Sequence, residues 1–510
     1  MVKGVAGSPY AITDYYDIDP DLADDIDQRM NEFQQLVDRT HQAGMKVIID
    51  FVPNHVAREY HSIMKPEGVR DLGEDDDTGK HFSPINNFYY CPGLPFVSPV
   101  QPKEGEEPYV ENPAKCTGND RFDNCPGRND WYETVKLNYG IDYCDAGGRS
   151  YHFEPVPNTW VKMTDILLYW ASKDIDGFRC DMAQSLVKGD DKQHTGTMRL
   201  WHELRSWFEA KYPEGILISE WSQPRQSLRA GFHIDLLIHN GAGTKIYRTL
   251  VCQTDDRGTK ETPCFFDYEG RGQVKAFAEN YRIEYEATRE LGYAAMPTCS
   301  HDIWRLNRFD RNTPEQLKTA LTLFLTLPAV PILYYGEEIG MRNLEDAPVK
   351  EGSYTSRNRS SCRTPMQWDD SPNAGFSTAD ASRLYLPIDP SPARPTVAAE
   401  ERDPQSILNY VKGLIALRRQ TPALGTQGAW RFVSDVEQPY PMVYARELDG
   451  QKYLVALNPS KRSATARFAS EGAAAEAVYG TGDGAKYTSK NGLSTLKMKP
   501  VSAVILKITE

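Results

Sequence analysis

A short apolar run, KVIIDFV, follows directly on an amphipathic stretch at residues 24–43. In that stretch Ile26, Met30, Phe33, Val37 and Thr40 recur at helical spacing, and Gly44 stands where a helix C-cap falls. The apolar run shows no polar alternation. A strand that is apolar on both sides needs cover on both faces, which is the condition of a parallel sheet packed under helices. The pairing of helix and strand recurs. Apolar runs stand at 175–181 (IDGFRCD), 215–221 (GILISEW), 232–239 (FHIDLLIH), 295–302 (AMPTCSHD) and 329–335 (AVPILYY). Helical stretches such as TMRLWHELRSWFEAKY and TPEQLKTALTLFLTL lie between several of them. This alternation predicts an α/β fold, either doubly wound or closed as a barrel.

Two regions break the rhythm. Residues 56–137 are rich in Gly, Pro, Asn and Asp, too long for a plain loop, and read as either a functional loop or a small inserted subdomain. After 424, PMVYARELDGQKYLVALNP places two alternating runs around Asp449-Gly450, a hairpin signal. ATARFAS and VSAVILKI add further strands, so 425–510 reads as a small antiparallel β domain. The expected organisation is an α/β domain over 1–55 and 138–424, an insertion over 56–137 and a β domain over 425–510.

Composition excludes several classes of function. With 58 Lys plus Arg against 71 Asp plus Glu, the net charge is -13, and no basic stripe offers itself to nucleic acid. Apolar residues at 40% and charged residues at 25% place the 510-residue chain among globular proteins. No apolar run reaches the roughly 18 to 20 residues that span a bilayer. MVKGVAGSPYAITDYYDIDP lacks the basic and apolar segments of a secretory signal, so a cytoplasmic location is expected, with a periplasmic or secreted one if the chain continues upstream. Of nine cysteines, Cys91, Cys116, Cys125 and Cys144 share one loop-rich stretch, where a disulfide or two and reduced thiols both fit.

The chemistry sits at the strand ends. The first run ends in Asp50, Asn54 and His55, the next in Arg179 and Asp181, the next in Glu220-Trp221, and a later one in His301-Asp302. In a βα barrel those positions carry catalytic groups. One buried carboxylate is usually a structural ion pair, but three on successive strands, with an arginine and two histidines, exceed what packing asks for. Glycoside cleavage needs one carboxylate as acid and another as nucleophile or base. Arg179 shares a face with Asp181 and is expected to keep it ionised. Glu220 beside Trp221 is expected to have a raised pKa, as a general acid does. Asp302 is a third carboxylate, available to a cationic transition state. No GxxxxGK loop supports phosphoryl transfer, and His55 and His301 lack zinc-site spacing. The run EDDDTG (74–79) is oxygen-rich enough for calcium, but a solvated acidic loop accounts for it as well, and no cofactor is required. Cys180, Trp201 and Trp207 read as packing, whereas Trp131, Trp221, Trp304 and Trp368 lie where a sugar-stacking platform also fits.

DFVPNH, DGFRCD, ISEW and SHD, in this order, resemble the four signatures of the α-amylase superfamily, glycoside hydrolase family 13. KLNY (136–139), PILYYGEEIGM, RTPMQWDDSPNAGF and SILNYVKGLIALRRQTPAL extend the resemblance to about residues 7–460. It implies a (β/α)8 TIM barrel, a domain B inserted after the third strand and a C-terminal β-sandwich. Family members carry two strands and a helix ahead of the segment resembling GSPYAITDYYDIDP, so about six barrel strands are expected here. The resemblance implies Asp181 as nucleophile, Glu220 as acid/base and Asp302 as transition-state stabiliser. Arg179, His55 and His301 would bind sugar, Tyr10 would stack under it, and Asp50 and Asn54 would support the site. Ser300 replaces the usual Asn of the fourth signature and cannot reproduce an amide's two-ended hydrogen bonding. The expected activity is retaining hydrolysis of α-glucosidic bonds in malto-oligosaccharides or α-glucans through a covalent glycosyl-enzyme intermediate. A transglycosylase or isomerase such as a trehalose synthase is the alternative within catalysis, and an inactive glycan-binding relative the alternative outside it.

Overall fold

A computed structural model describes residues 2–3, 8–101, 107–127, 130–145, 148–151, 158–238, 240–251, 263–350, 359–482 and 484–509. The chain divides into two compact units, Met1–Trp221 with Arg225–Asp235, and Ser222–Pro224 with Leu236–Glu510.

In the first unit, the amphipathic stretch folds as α1 (Arg29–Gln42) behind a short 3-10 turn, Ile26–Gln28. Gly44 takes φ +73, the left-handed conformation a helix stop requires. Ile26, expected on the packed face, is 55% exposed because it lies in that turn and not on the helix. Strand β1 (Ile48–Phe51) follows, and pairs in parallel with β2 (Gly177–Cys180). β2 pairs in parallel with β3 (Ile216–Ser219), and β3 with the start of β4 (Ile234–Leu236). Gly177 allows the strands to close up, since a Cβ there would meet Ile216 O at 2.3 Å. The helices α2 (Asn158–Ala171) and α3 (Thr195–Lys211) bury Trp170 and Trp201 in the same core as Phe51, Phe178 and Leu217. Within 56–137 the order is thinner: Tyr90–Cys91 pairs with Ala114–Lys115, and Thr134–Lys136 pairs back onto His55–Ala57.

In the second unit, α4 (Lys275–Thr288) precedes β5 (Tyr293–Pro297), and α5 (Pro314–Thr326) precedes β6 (Val330–Ile332). β5 and β6 pair in parallel. Among the described residues, six strands thus belong to parallel pairings, the number the apolar runs predict. Thr313 caps α5 by a reciprocal capping box with Gln316. After α6 (Ile407–Gln420), the strands β7 (Ala429–Phe432), β8 (Met442–Leu448), β9 (Gln451–Asn458), β10 (Ala464–Ala469), β11 (Ala474–Gly480), β12 (Ala485–Lys490), β13 (Leu493–Met498) and β14 (Ser502–Thr509) form two antiparallel sheets. Their orders are β7-β8-β9-β14-β11 and β10-β13-β12. Val443, Leu454, Phe468, Leu496 and Leu506 share one core, drawn from both sheets, which makes this a β-sandwich. The opposite face of the larger sheet buries Met442, Tyr444, Val455 and Ile505 among Phe324, Val411 and Leu414 of α5 and α6. This departs from the alternation expected of the strands flanking Asp449-Gly450: with both faces covered, Tyr453–Asn458 of β9 is buried throughout.

Candidate active site

Strand register builds the site of the first unit. Arg179 stands opposite Asp50 across the β1–β2 pair. One residue beyond each strand, the Asp181 N–H donates to Phe51 O at 2.9 Å and the Glu220 N–H donates to Cys180 O at 3.0 Å. The parallel ladder therefore gains one rung on each side, and two carboxylates stand at neighbouring strand ends. The Arg179 guanidinium joins them. Its Nη1 donates to Asp50 Oδ1 and to Asp181 Oδ1, both at 2.8 Å, and its Nη2 contacts Glu220 Oε2 at 2.8 Å. Tyr10 closes the group: its hydroxyl donates to Asp50 Oδ2 at 3.3 Å, and its ring lies 5.6 Å from the guanidinium carbon. Five of the nine predicted site residues (Tyr10, Asp50, Arg179, Asp181, Glu220) thus meet around one cation.

The electrostatics differ from the sequence expectation. Burial raises the Asp181 carboxyl well above the ordinary range, the Glu220 charge raises it further, and Arg179 opposes both without prevailing. Arg179 is shared among three carboxylates, so it does not keep Asp181 ionised on its own. Trp221 packs against His194 and Phe232, with ring centroids 5.5 and 6.4 Å away.

A second group stands behind this one. Lys136 is 1% exposed, yet its Nζ donates to Asn54 Oδ1 and to Ser185 O. Asn54 Nδ2 in turn donates to Gly118 O at 3.0 Å and lies 3.1 Å from His55 Nδ1. His55, 2% exposed, is hydrogen-bonded to the Tyr10 backbone as well. Burial, and then the Lys136 charge, push His55 down to about 3, so the imidazole is neutral at any working pH. Lys136, Asn54 and His55 therefore form a chain of hydrogen bonds that ends on the residue stacked beside Arg179. Lys136 is missing from the sequence-derived set.

The second unit holds the third carboxylate. Asp302 Oδ1 lies 3.0 Å from Arg359 Nη1, 3.3 Å from Arg363 Nη2 and 3.5 Å from His301 Nε2. Arg363 Nε donates to His301 O at 2.9 Å, which ties the SHD turn to the RTPMQW segment. The Ser300 hydroxyl accepts from the Asp302 N–H at 3.1 Å, so serine holds the turn through backbone in place of an amide. Neither arginine is among the sequence-predicted residues. RTPMQW is legible as a family segment, but nothing in it announces a partner for Asp302.

Other expectations sort cleanly by burial. Trp221 and Trp304 are 3% and 6% exposed and pack, whereas Trp131 and Trp368 are 37% and 50% exposed. Cys180 is buried in the core, as expected of a packing residue. Cys91, Cys116 and Cys125 are free thiols, so no disulfide joins these three, although β-pairing brings the first two close; Cys264, elsewhere, is disulfide-bonded. In EDDDTG the Asp76 carboxylate accepts from the Asn87 and Phe88 N–H groups at 2.7 and 3.0 Å and from the Tyr90 hydroxyl at 2.9 Å. Its oxygens are committed to the chain itself, and among the described residues no three His, Cys, Asp or Glu side chains converge as metal ligands do.

Residues 5–427 match the family described as "Alpha amylase, catalytic domain". The chain is 23% identical over 487 residues to an "Alpha-glucosidase" of Culex pipiens, covering 88% of this chain and 71% of that one. It is 25% identical over 469 residues to a "Trehalose synthase/amylase TreS" of Mycobacterium tuberculosis, covering 86% and 70%. The solved structure of an α-amylase from H.orenii superposes with a TM-score of 0.65 at 20% identity, covering 98% of this chain and 87% of that one, and so shares its fold.

Proposed function

This chain belongs to the α-amylase family, and on that premise we propose that it is a retaining glycosidase acting on α-glucosidic bonds of malto-oligosaccharides or α-glucans. The observation that carries the reading is the Arg179 bridge: one planar cation contacts Asp181 and Glu220 at 2.8 Å each, on neighbouring strand ends. In the first step an Asp181 oxygen bonds to the anomeric carbon as the glycosidic C–O bond breaks. The Glu220 proton passes to the leaving oxygen. In the second step Glu220 takes a proton from water, the water oxygen bonds to the anomeric carbon, and the Asp181 ester bond breaks. Asp302, held by Arg359 and Arg363, is the candidate for the positive charge that develops on the sugar ring. Tyr10, positioned through His55, is the candidate stacking surface. His301 is a candidate sugar contact.

Two measurements test this. Proton NMR of the first product should show the α-anomer, as a double displacement requires. Asp181→Asn should lower kcat by at least about a thousandfold, and near-normal turnover in that variant would sink the assignment. The relative named as a trehalose synthase/amylase favours a second outcome, in which a sugar hydroxyl replaces water. On maltose, hydrolysis yields only glucose and adds reducing ends, while transfer to the anomeric hydroxyl of the released glucose yields a non-reducing disaccharide and consumes them.

A further inference from the structure

Asp235 stands in β4 and is 0% exposed, yet it takes no part in the reaction steps proposed above. A carboxylate is costly to bury, so what it holds in place is informative. Its register partner across the β3–β4 pair is Ser219, the residue before Glu220. The Ser219 hydroxyl donates to Asp235 Oδ1 at 2.7 Å, and the Trp221 N–H donates to the same oxygen at 3.2 Å. One oxygen therefore grips the residue on either side of Glu220. The Ser227 hydroxyl, from the short helix Pro224–Ala230, meets the Ser219 hydroxyl at 2.5 Å and fixes it further. Ser219, Ser227 and Asp235 are all fully buried, so water does not compete for these bonds.

The place of this clamp gives it a bearing on the chemistry. Ser219 and Trp221 are buried, while Glu220 between them reaches Arg179 Nη2 at 2.8 Å. The regular β3–β4 pairing ends at Ser219 and Asp235, and the chain turns sharply at Ser222, with φ 57. On the β2 side Glu220 is still held by backbone, through its N–H on Cys180 O at 3.0 Å. On the β4 side a side chain does what the ladder no longer does, since the Trp221 N–H is taken by the Asp235 carboxylate. Holding both neighbours fixes the backbone from which the Glu220 side chain is aimed. A displacement of about 1 Å can cost a catalytic group about a hundredfold in rate.

We propose that Asp235 is a positioning residue for proton transfer by Glu220: it clamps Ser219 and Trp221 so that the Glu220 carboxyl faces the leaving oxygen. This rests on Glu220 being the acid/base, as proposed above. The test compares two substrates that differ in their need for a proton. The glucose released from maltose leaves as an alcohol and needs one, whereas fluoride leaves α-glucosyl fluoride with little help from an acid. Asp235→Ala should lower kcat/KM on maltose about thirtyfold and on α-glucosyl fluoride by less than about threefold. Asp235→Asn keeps an oxygen for the Ser219 hydroxyl and the Trp221 N–H, and should return maltose activity to within about fivefold of wild type. Ser219→Ala removes the side-chain arm of the clamp alone, and its loss of about fivefold should again be confined to maltose. Equal losses on the two substrates, or wild-type maltose activity in folded Asp235→Ala, would overturn the role. If Asp235→Ala does not fold, Ser219→Ala carries the same test: a loss confined to maltose supports the clamp, and no loss or an equal loss removes it. A wild-type enzyme inert on both substrates would refute the glycosidase reading itself, an outcome distinct from an active enzyme whose variants lose both activities alike.

Discussion

Replacing Lys136 by Met should cost activity while leaving the fold almost as stable as before. Two opposing terms are of similar size. Burial pushes the ammonium from 10.5 down to about 8, which corresponds to about 3 kcal/mol against holding the charge inside at neutral pH. A methionine of similar length removes that cost. It also strips the donor from Asn54 Oδ1 and Ser185 O, at about 1–3 kcal/mol for each buried acceptor left unpaired. The two acceptors together lose about 2–6 kcal/mol, so the net change runs from a gain of about 1 to a loss of about 3 kcal/mol, and the unfolding midpoint should move by only a few degrees. Function has no such compensation. Without Lys136 the Asn54 amide keeps only its Nδ2 contacts to Gly118 O and His55, so its hold on His55, and through His55 on the Tyr10 backbone, is loosened. A loss of about 1.4–2.8 kcal/mol in transition-state binding, or 10- to 100-fold in kcat/KM, is expected. The pH profile gives a readout that mere damage would not. The charged form is the stronger donor to Asn54, and its folded value lies below the ordinary one, so wild-type activity should decline as pH rises through about 8. That limb should be absent in Lys136→Met. Activity within twofold of wild type in a folded variant, or an unaltered alkaline limb, would refute the positioning role.

Two further outcomes follow from the same structure. Asp181 has a folded pKa raised chiefly by burial, so its ionisation destabilises the fold as pH climbs from the unfolded value toward the folded one; Asp181→Asn should therefore unfold at a higher temperature than wild type at neutral pH, with the difference vanishing near pH 3. Arg446 is fully buried and donates to the carbonyls of Thr326, Leu424, Gly425, Gly428 and Ala429; Arg446→Met should lower unfolding stability by about 3 kcal/mol in a denaturant titration, and a loss under about 1 kcal/mol would contradict that role.

What the sequence makes legible here follows from local physics. Strands buried on both faces announce themselves as unbroken apolar runs, and a charged residue at the end of such a run is conspicuous. Asp50, Arg179, Asp181, Glu220 and Asp302 all stand out in that way. The hairpin at Asp449-Gly450 is equally local: its turn residues take φ 50 and 74, which that dipeptide favours. Groups whose meaning is made by the tertiary fold are silent. Lys136 meets Asn54 across 82 positions, and Arg363 meets Asp302 across 61. A lysine in KLNY or an arginine in RTPMQW looks no different from a surface cation until those loops are in place. The tryptophans make the same point. Trp304 and Trp368 both sit in loop-like sequence, and only packing buries one and exposes the other.

On the proposed mechanism a single arginine serves two carboxylates with opposite duties. Ionised together, Asp50, Asp181 and Glu220 would leave two negative charges in excess around Arg179. At an effective dielectric of about 20, like charges some 4 Å apart repel by about 4 kcal/mol, which is close to three pKa units. Repulsion of that size favours one shared proton in the cluster, and burial, then the Glu220 charge, favours Asp181 as its carrier in the unliganded protein. The inventory is already right for glycoside cleavage, since the reaction uses one carboxylate and one carboxylic acid. Its location is wrong for a nucleophilic Asp181, and Arg179, at 2.8 Å from both, does not correct it. The substrate does. The leaving oxygen needs a donor and stabilises the proton on Glu220, while the electron-poor anomeric carbon stabilises negative charge on Asp181. On the mechanism proposed above, the proton passes from Asp181 to Glu220 as the sugar enters, and the pH dependence of turnover is expected to belong to the pair rather than to either residue.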